Sequence, residues 1–134
     1  QGVRARGHDT IDHSLLQWLA DQPARIELEF GGKKVLMVHS TPWEPRGTYV
    51  YPHSPQIARF GEAEADFVLY GHTHQQLVRH IGGRLVINPG STGDGRDYSN
   101  GRQLSYAVLD TVSEEVVVTN FEDPFRLKNM SAIM

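Results

Sequence analysis

His72 and His74 are separated by one residue and follow a short apolar run at positions 66–70. The run predicts a short buried strand, and Gly71 comes directly after it. In extended backbone, side chains two residues apart point the same way, so we expect both imidazoles to face one point. Gly71 carries no side chain and lets the backbone bend close to a bound group. The spacing therefore indicates a metal site at a strand end.

Two further strand ends carry residues of similar chemistry. The apolar run 34–38 leads into His39, and the run 85–87 leads into Asn88, the first residue of an Asn-Pro-Gly-Ser sequence. Open sheets with helices on their faces bind ligands beyond the carboxyl ends of their strands. A single His-x-His among seven histidines is unremarkable. The agreement of three strand ends favours a metal site over chance.

The composition restricts the classes of protein to consider. A chain of 134 residues is long enough for one domain with a buried core. The net charge of −3 argues against binding of nucleic acid. No apolar run approaches the roughly 18–20 residues of a membrane helix, and the first residues do not resemble a signal peptide. We therefore expect neither nucleic acid nor a membrane as a partner.

The chain contains no cysteine, so any metal must take nitrogen and oxygen ligands. This composition is compatible with the cytoplasm, which is the location we expect. Three histidines with one open position could hold a single zinc ion and activate a water. A dinuclear site would also need carboxylates, and no acidic residue stands at an obvious strand end. The site is therefore either mononuclear or completed from outside this chain.

The pattern of apolar residues and turns predicts an α/β (α+β) fold. We expect a helix capped by Asp9 or Thr10 and ending near Asp21. Glycine pairs at 31–32 and 82–83 predict two hairpins. In all, about seven strands and two short helices are expected, as antiparallel or mixed β layers with helices outside. The remaining predicted elements are a helix at 55–65, strands at 105–111 and 115–120, and a loosely structured tail at 123–134.

The segment 40–55 is a long loop with four prolines and several aromatic residues. A loop of this length after a candidate ligand is more often functional than not, although a packed surface loop is the alternative. Tyr49 and Tyr51 could stack on an organic group of a substrate.

Three of these motifs, in this order, resemble the calcineurin-like metallophosphoesterases, and most closely their small bacterial phosphodiesterase branch. They are Val38-His39-Ser40-Thr41-Pro42, Gly71-His72-Thr73-His74 and Asn88-Pro89-Gly90-Ser91. The resemblance extends over about residues 12–120. It implies a β-sandwich flanked by helices.

The resemblance also implies an activity and a ligand set. His39 and His72 would bind one metal and His74 a second, both divalent and drawn from Mn, Fe, Zn or Ni. The expected reaction is hydrolysis of a phosphoester by a metal-activated hydroxide, as a phosphatase or phosphodiesterase. Small-molecule phosphoesters and phosphoproteins are the expected substrates.

Other residues have weaker assignments. Asn88 and Ser91 could orient ligands or substrate, or could simply form a turn. Arg96 and Arg102 could bind a substrate phosphate, or could be solvated surface residues.

The chain departs from the family pattern at its start. The family's D-x-H, GD and GNH(D/E) motifs, which supply aspartates, an asparagine ligand and a general acid, are not intact. His8 is the one candidate for the general acid, although a lead-in to the first helix is the alternative. We therefore interpret residues 1–134 as a single partial domain, the carboxyl-terminal half of the fold. Exposed strand edges would then favour a homo-oligomer.

Two other functions are compatible with these residues. One is a non-catalytic scaffold of the same fold, and the other is a self-contained zinc protein with three histidine ligands.

Overall fold

The computed structural model describes residues 11–126. The elements that lie wholly within this part of the chain are one α-helix, two 3₁₀ helices and seven strands. The helices are α1 (His13–Ala20) and the 3₁₀ helices Pro55–Glu62 and Tyr98–Asn100. The strands are β1 (Arg25–Phe30), β2 (Lys33–Val38), β3 (Phe67–Leu69), β4 (Gln76–Ile81), β5 (Arg84–Pro89), β6 (Leu104–Leu109) and β7 (Val116–Phe121).

Helix α1 begins later than the sequence predicts. Its N-cap is Asp12, whose carboxylate accepts a hydrogen bond from the backbone N–H of Ser14 at 2.8 Å. The predicted caps Asp9 and Thr10 are therefore wrong, because Asp12 satisfies the free N–H groups of the first turn. Most of the apolar side chains of this helix are exposed: Leu15 and Trp18 are both 58% exposed.

Both predicted hairpins are confirmed. Strands β1 and β2 pair antiparallel from Arg25 with Val38 to Phe30 with Lys33, and β4 and β5 pair in the same way. The glycine pairs that join them all have positive φ, between 56° and 81°. Such φ values are strained for other residues, which explains why glycine occupies these turns.

The two hairpins form the outer strands of one mixed sheet, in the order β1-β2-β3-β5-β4. Strand β3 lies in the centre and is parallel to both β2 and β5. The carboxyl ends of these three strands therefore lie at one edge of the sheet. This arrangement confirms the mixed α/β class.

The central strands of the sheet carry apolar residues on both faces, and both faces are buried. Leu36, Val68 and Val86 lie side by side in the register of β2, β3 and β5 and pack with Phe60 of the first 3₁₀ helix. Phe60 is completely buried. Val50, in the loop after β2, packs in the same cluster, so this face of the sheet anchors the loop.

The opposite face is covered by a second sheet, the antiparallel hairpin β6–β7. Phe67 and Leu85 pack there with Ala107 and Leu109 of β6. Beyond these contacts a cavity of about 370 Å³ remains between the two sheets, bordered by Met37 and other apolar side chains. Residues 11–126 include no helix that is long and apolar enough to cross a membrane.

Tyr70 connects the sheet to the loop. Its hydroxyl donates to the backbone oxygen of Val50 at 3.3 Å, and its ring is 3% exposed. Burial raises the pKa of Tyr70 to about 12, because the phenolate would lose its hydration.

The raised pKa predicts a loss of stability at high pH. Tyr70 resists ionisation in the folded protein, whereas it ionises near pH 10 in the unfolded chain. The contribution of neutral Tyr70 to the free energy of unfolding is therefore complete below pH 10 and is lost as the pH rises through about 12. Two pKa units correspond to roughly 2–3 kcal/mol. The free energy of unfolding, measured by urea denaturation from pH 8 to 12, should fall more in the wild type than in Tyr70→Phe. Parallel curves for the two proteins would contradict this. Tyr106→Phe, at a 46% exposed ring, is the control.

Candidate metal centre

The three strand ends predicted to carry the site are adjacent. The backbone N–H of Gly71 donates to the oxygen of His39 at 3.0 Å, which extends the pairing of β2 and β3 past their ends. On the other side, the N–H of Tyr70 donates to the oxygen of Ile87 at 2.9 Å. The parallel pairing thus delivers His39 and the turn 71–74 to the same edge.

His39 and His72 are in direct contact. Nε2 of His39 lies 2.9 Å from Nδ1 of His72, and the two rings meet edge to face with centroids 4.7 Å apart. A hydrogen bond between two imidazole nitrogens needs one proton and one lone pair, so one ring donates and the other accepts. The Nε2 of His39 and the Nδ1 of His72 thus face each other, and once the shared proton is released both lone pairs could bind one metal.

The backbone through His72 and His74 is not extended, so the prediction that an extended backbone points both imidazoles the same way is wrong. Both residues have positive φ, 72° and 60°. Histidine adopts this conformation more often than most residues, although it remains uncommon outside glycine. The reason is a tight turn, closed by a hydrogen bond of 2.9 Å from the N–H of Thr73 to the oxygen of Gly71.

His72 also has a buried nitrogen without a protein partner. Its Nε2 has no hydrogen-bond partner among the described residues. Burial, and then the nearby His39, lower the pKa of His72, while the nearby backbone of Gly47 acts in the opposite direction. A lowered pKa keeps the imidazole neutral, which is the form that binds metals.

His74 is oriented by the loop that follows β5. Its Nδ1 lies 2.7 Å from the backbone oxygen of Asp94. A carbonyl can only accept, so Nδ1 carries the proton and Nε2 keeps a lone pair for a ligand. A carboxylate oxygen of Asp94 lies 3.5 Å from the same Nδ1. Metal-binding histidines commonly have partners of this kind on their second nitrogen.

Asn88 forms hydrogen bonds to residues 71–74, which we call the histidine turn. Its side chain is completely buried and donates to Thr73 Oγ1 at 3.0 Å and to the oxygen of Gly71 at 3.3 Å, while it accepts from the N–H of Gly90. Asn88 lies within β5, not beyond its end as the sequence suggested. Its amide therefore links the strand, the histidine turn and the next loop.

Ser91 and the two arginines shape the loop that carries Asp94. The Ser91 hydroxyl accepts from the N–H of Asp94 at 2.9 Å. Arg96 places Nε and Nη2 at 2.9 and 2.8 Å from one Asp94 carboxylate oxygen. Arg102 donates to the oxygen of Gly95 at 3.2 Å. Their proposed roles toward substrate remain predictions.

The described residues supply part of a metal site. No group of three His, Asp or Glu side chains between residues 11 and 126 is arranged to hold one metal ion. His39 and His72 converge, whereas His74 is turned toward Asp94. The Nε2 of His39 and the Nδ1 of His72 are close enough to bind one metal ion together, whereas the partnerless Nε2 of His72 is the other nitrogen of that ring and points away from His39. His8, the candidate general acid, lies outside the described residues.

Two contacts at the site were not predicted. The first is the contact between the Asp94 carboxylate, in the glycine-rich loop, and His74. Only the fact that β3 and β5 are neighbours in the sheet could have indicated this contact. The ring of Tyr49 stacks on His72 with centroids 3.8 Å apart, although the sequence assigned this tyrosine to substrate alone. Both contacts restrain the orientation of a candidate ligand.

Replacing Asn88 by leucine should destabilise the fold strongly. The change removes three hydrogen bonds together, those with Thr73, Gly71 and Gly90, and it leaves the partly buried Gly90 N–H unsatisfied, which by itself costs about 1–3 kcal/mol. We expect the free energy of unfolding to fall by about 3 kcal/mol or more in urea denaturation. Asn120→Leu, at an exposed position of β7, is the control and should change it by less than about 1 kcal/mol. Equal losses in the two variants would contradict the role of Asn88.

Comparison with known proteins agrees with this architecture. An uncharacterized protein of Methanocaldococcus jannaschii is 28% identical over 129 residues, which cover 84% of this chain and 51% of that protein. The crystal structure of a hypothetical protein from Pyrococcus horikoshii matches with a TM-score of 0.67 at 19% identity, over 90% of this chain and 49% of that one.

A metallophosphoesterase from Sphaerobacter thermophilus matches with a TM-score of 0.66 at 23% identity, over 87% of this chain and 55% of that one. The chain thus spans about half the length of these relatives. Residues 7–114 match the calcineurin-like phosphoesterase superfamily domain. This match confirms the resemblance seen in the sequence motifs, and the chain belongs to the calcineurin-like phosphoesterase superfamily.

Proposed function

We propose that the protein is a metal-dependent phosphoester hydrolase, a phosphatase or phosphodiesterase with a dinuclear centre. The observation that carries the proposal is the 2.9 Å contact between His39 and His72 at the carboxyl edge of the sheet, in a chain of this superfamily. Two imidazoles that converge in this way suit Mn, Fe, Zn or Ni.

The proposed ligands divide between two metals. His39 and His72 would bind one through the converging nitrogens, and His74 would bind the other through Nε2. Bound metals would stabilise the negative charge that develops on a phosphoryl group. The chain's own contribution is to fix these rings: Asn88 holds the turn, and the Asp94 carbonyl sets the tautomer of His74.

The proposal concerns the whole protein, because this chain spans about half the length of its relatives. A dinuclear centre needs carboxylates to balance its charge. Asp94 is turned toward His74 and Arg96, and it is thus an orienting group for His74 more than a ligand. The further ligands are expected from outside residues 11–126.

His72→Ala should abolish metal binding and hydrolysis in the full-length protein. Removing a ligand should cost more than the 10- to 100-fold typical of outer partners, so we expect a loss of at least about 100-fold. Metal content is measured by elemental analysis, and activity by hydrolysis of bis(4-nitrophenyl) phosphate. His80→Ala is the matched control, since His80 is exposed on β4.

The stoichiometry separates the alternatives. Two metals per chain, lost with activity in His72→Ala and kept in His80→Ala, would support the dinuclear hydrolase. One zinc ion per chain would instead favour the mononuclear three-histidine protein. No bound metal and no hydrolysis would overturn the enzyme and favour the scaffold.

A further inference from the structure

Four aromatic rings form a row that leads away from the candidate metal centre, and we call His72, Tyr49, Tyr51 and His53 the ring row. His72 and Tyr49 stack with centroids 3.8 Å apart and an angle of 24°. Tyr49 and Tyr51 are parallel within 7° at 6.1 Å, and Tyr51 and His53 within 13° at 5.9 Å. The row thus runs from a proposed metal ligand to an exposed histidine.

The loop holds these rings in place through the residues between and after them. Val50, between the two tyrosines, is 1% exposed and lies in the core cluster of the sheet. Tyr49, on one side of Val50, is half exposed, and Tyr51, on the other side, is partly exposed. Ser54 fixes the end of the segment: its hydroxyl accepts from the N–H of Tyr51 at 2.8 Å, and its N–H donates to the oxygen of Tyr51 at 2.9 Å.

The rings leave aromatic surface uncovered. Centroids about 6 Å apart in nearly parallel rings indicate offset stacking, not full face-to-face contact. Tyr49 is 50% exposed although one side of its ring lies against His72. Such flat, pre-positioned aromatic surface is well suited to stacking with another planar ring.

We propose that the ring row binds the planar aromatic substituent of a phosphoester, as found in nucleoside and aryl phosphoesters. This inference rests on the proposed function, since it places the phosphoryl group at His39 and His72. Tyr49 lies directly against His72, so a ring attached near the phosphorus would reach the tyrosines. Stacking selects planarity and tolerates different bases, so the site discriminates aromatic from aliphatic esters.

The test measures binding by isothermal titration calorimetry to the full-length protein. The probes are adenosine 5′-monophosphate, phenyl phosphate and ribose 5-phosphate. Stacking on one aromatic side chain typically changes affinity by roughly 5- to 100-fold. We expect both aromatic probes to bind at least about fivefold more tightly than ribose 5-phosphate. The tighter of the two identifies the substituent as a nucleobase or an aryl group.

Tyr51 is the residue to vary, because Tyr49 touches a proposed ligand and Tyr51 does not. Tyr51→Leu should remove the preference for aromatic probes, with metal content and ribose 5-phosphate binding unchanged, whereas Tyr51→Phe should keep it. Equal affinity for all three probes, or a preference that survives in Tyr51→Leu, would overturn the ring row as a binding site.

The outcomes separate this inference from the proposed function. Metal binding and hydrolysis without an aromatic preference would leave the hydrolase intact and overturn the ring row. An aromatic preference lost in Tyr51→Leu, in a protein that neither binds metal nor hydrolyses esters, would support the ring row and overturn the hydrolase.

Discussion

The candidate site depends on the parallel pairing of β2, β3 and β5. Strand β3 has only three residues, and its hydrogen bonds to both neighbours fix where their carboxyl ends lie. The pairing continues past the strands through the bond from Gly71 to His39. A shift of register by one residue would reverse the faces of every side chain in β3 and separate the two imidazoles. The different packing of the two faces of β3 opposes such a shift, because Phe67 is buried against β6 and β7 whereas Val68 is buried against the first 3₁₀ helix.

The backbone of the histidine turn is strained, and hydrogen bonds from the buried Asn88 stabilise it in this conformation. Non-glycine residues in the left-handed region cost about 1–3 kcal/mol each, and the turn contains two. Asn88 offsets this cost with hydrogen bonds to both Gly71 and Thr73. Gly90 completes the arrangement: its φ is 83°, and a Cβ there would collide with the Ser105 hydroxyl. These hydrogen bonds and close contacts fix the shape of the strained turn, and a ligand site requires side chains held in a fixed geometry.

The sequence was sufficient to predict the elements whose causes are local. The glycine pairs at 31–32 and 82–83 predict both hairpins, since glycine adopts two successive positive φ values without a steric cost. The apolar runs that end at His39 and Tyr70 predict the strands that carry the site. The contact between His39 and His72, by contrast, depends on the positive φ of His72. The pattern of residue types in the sequence does not predict a positive φ at a histidine. The Asp94 contact depends on the closing of a loop twenty residues away along the chain, so it follows from the sheet order and not from local sequence.

The protonation of His72 links this geometry to chemistry. Taking an imidazolium out of water is costly, and a second imidazole beside it adds to the cost, so both effects favour the neutral ring. A neutral ring binds a metal without first releasing a proton. The same burial leaves Nε2 without a partner, which by itself destabilises the fold. The stacked ring of Tyr49 covers one face of this imidazole and helps to hold its orientation. An arrangement that costs stability and yet keeps a ring neutral, oriented and next to a second imidazole is better explained by ligand binding than by folding.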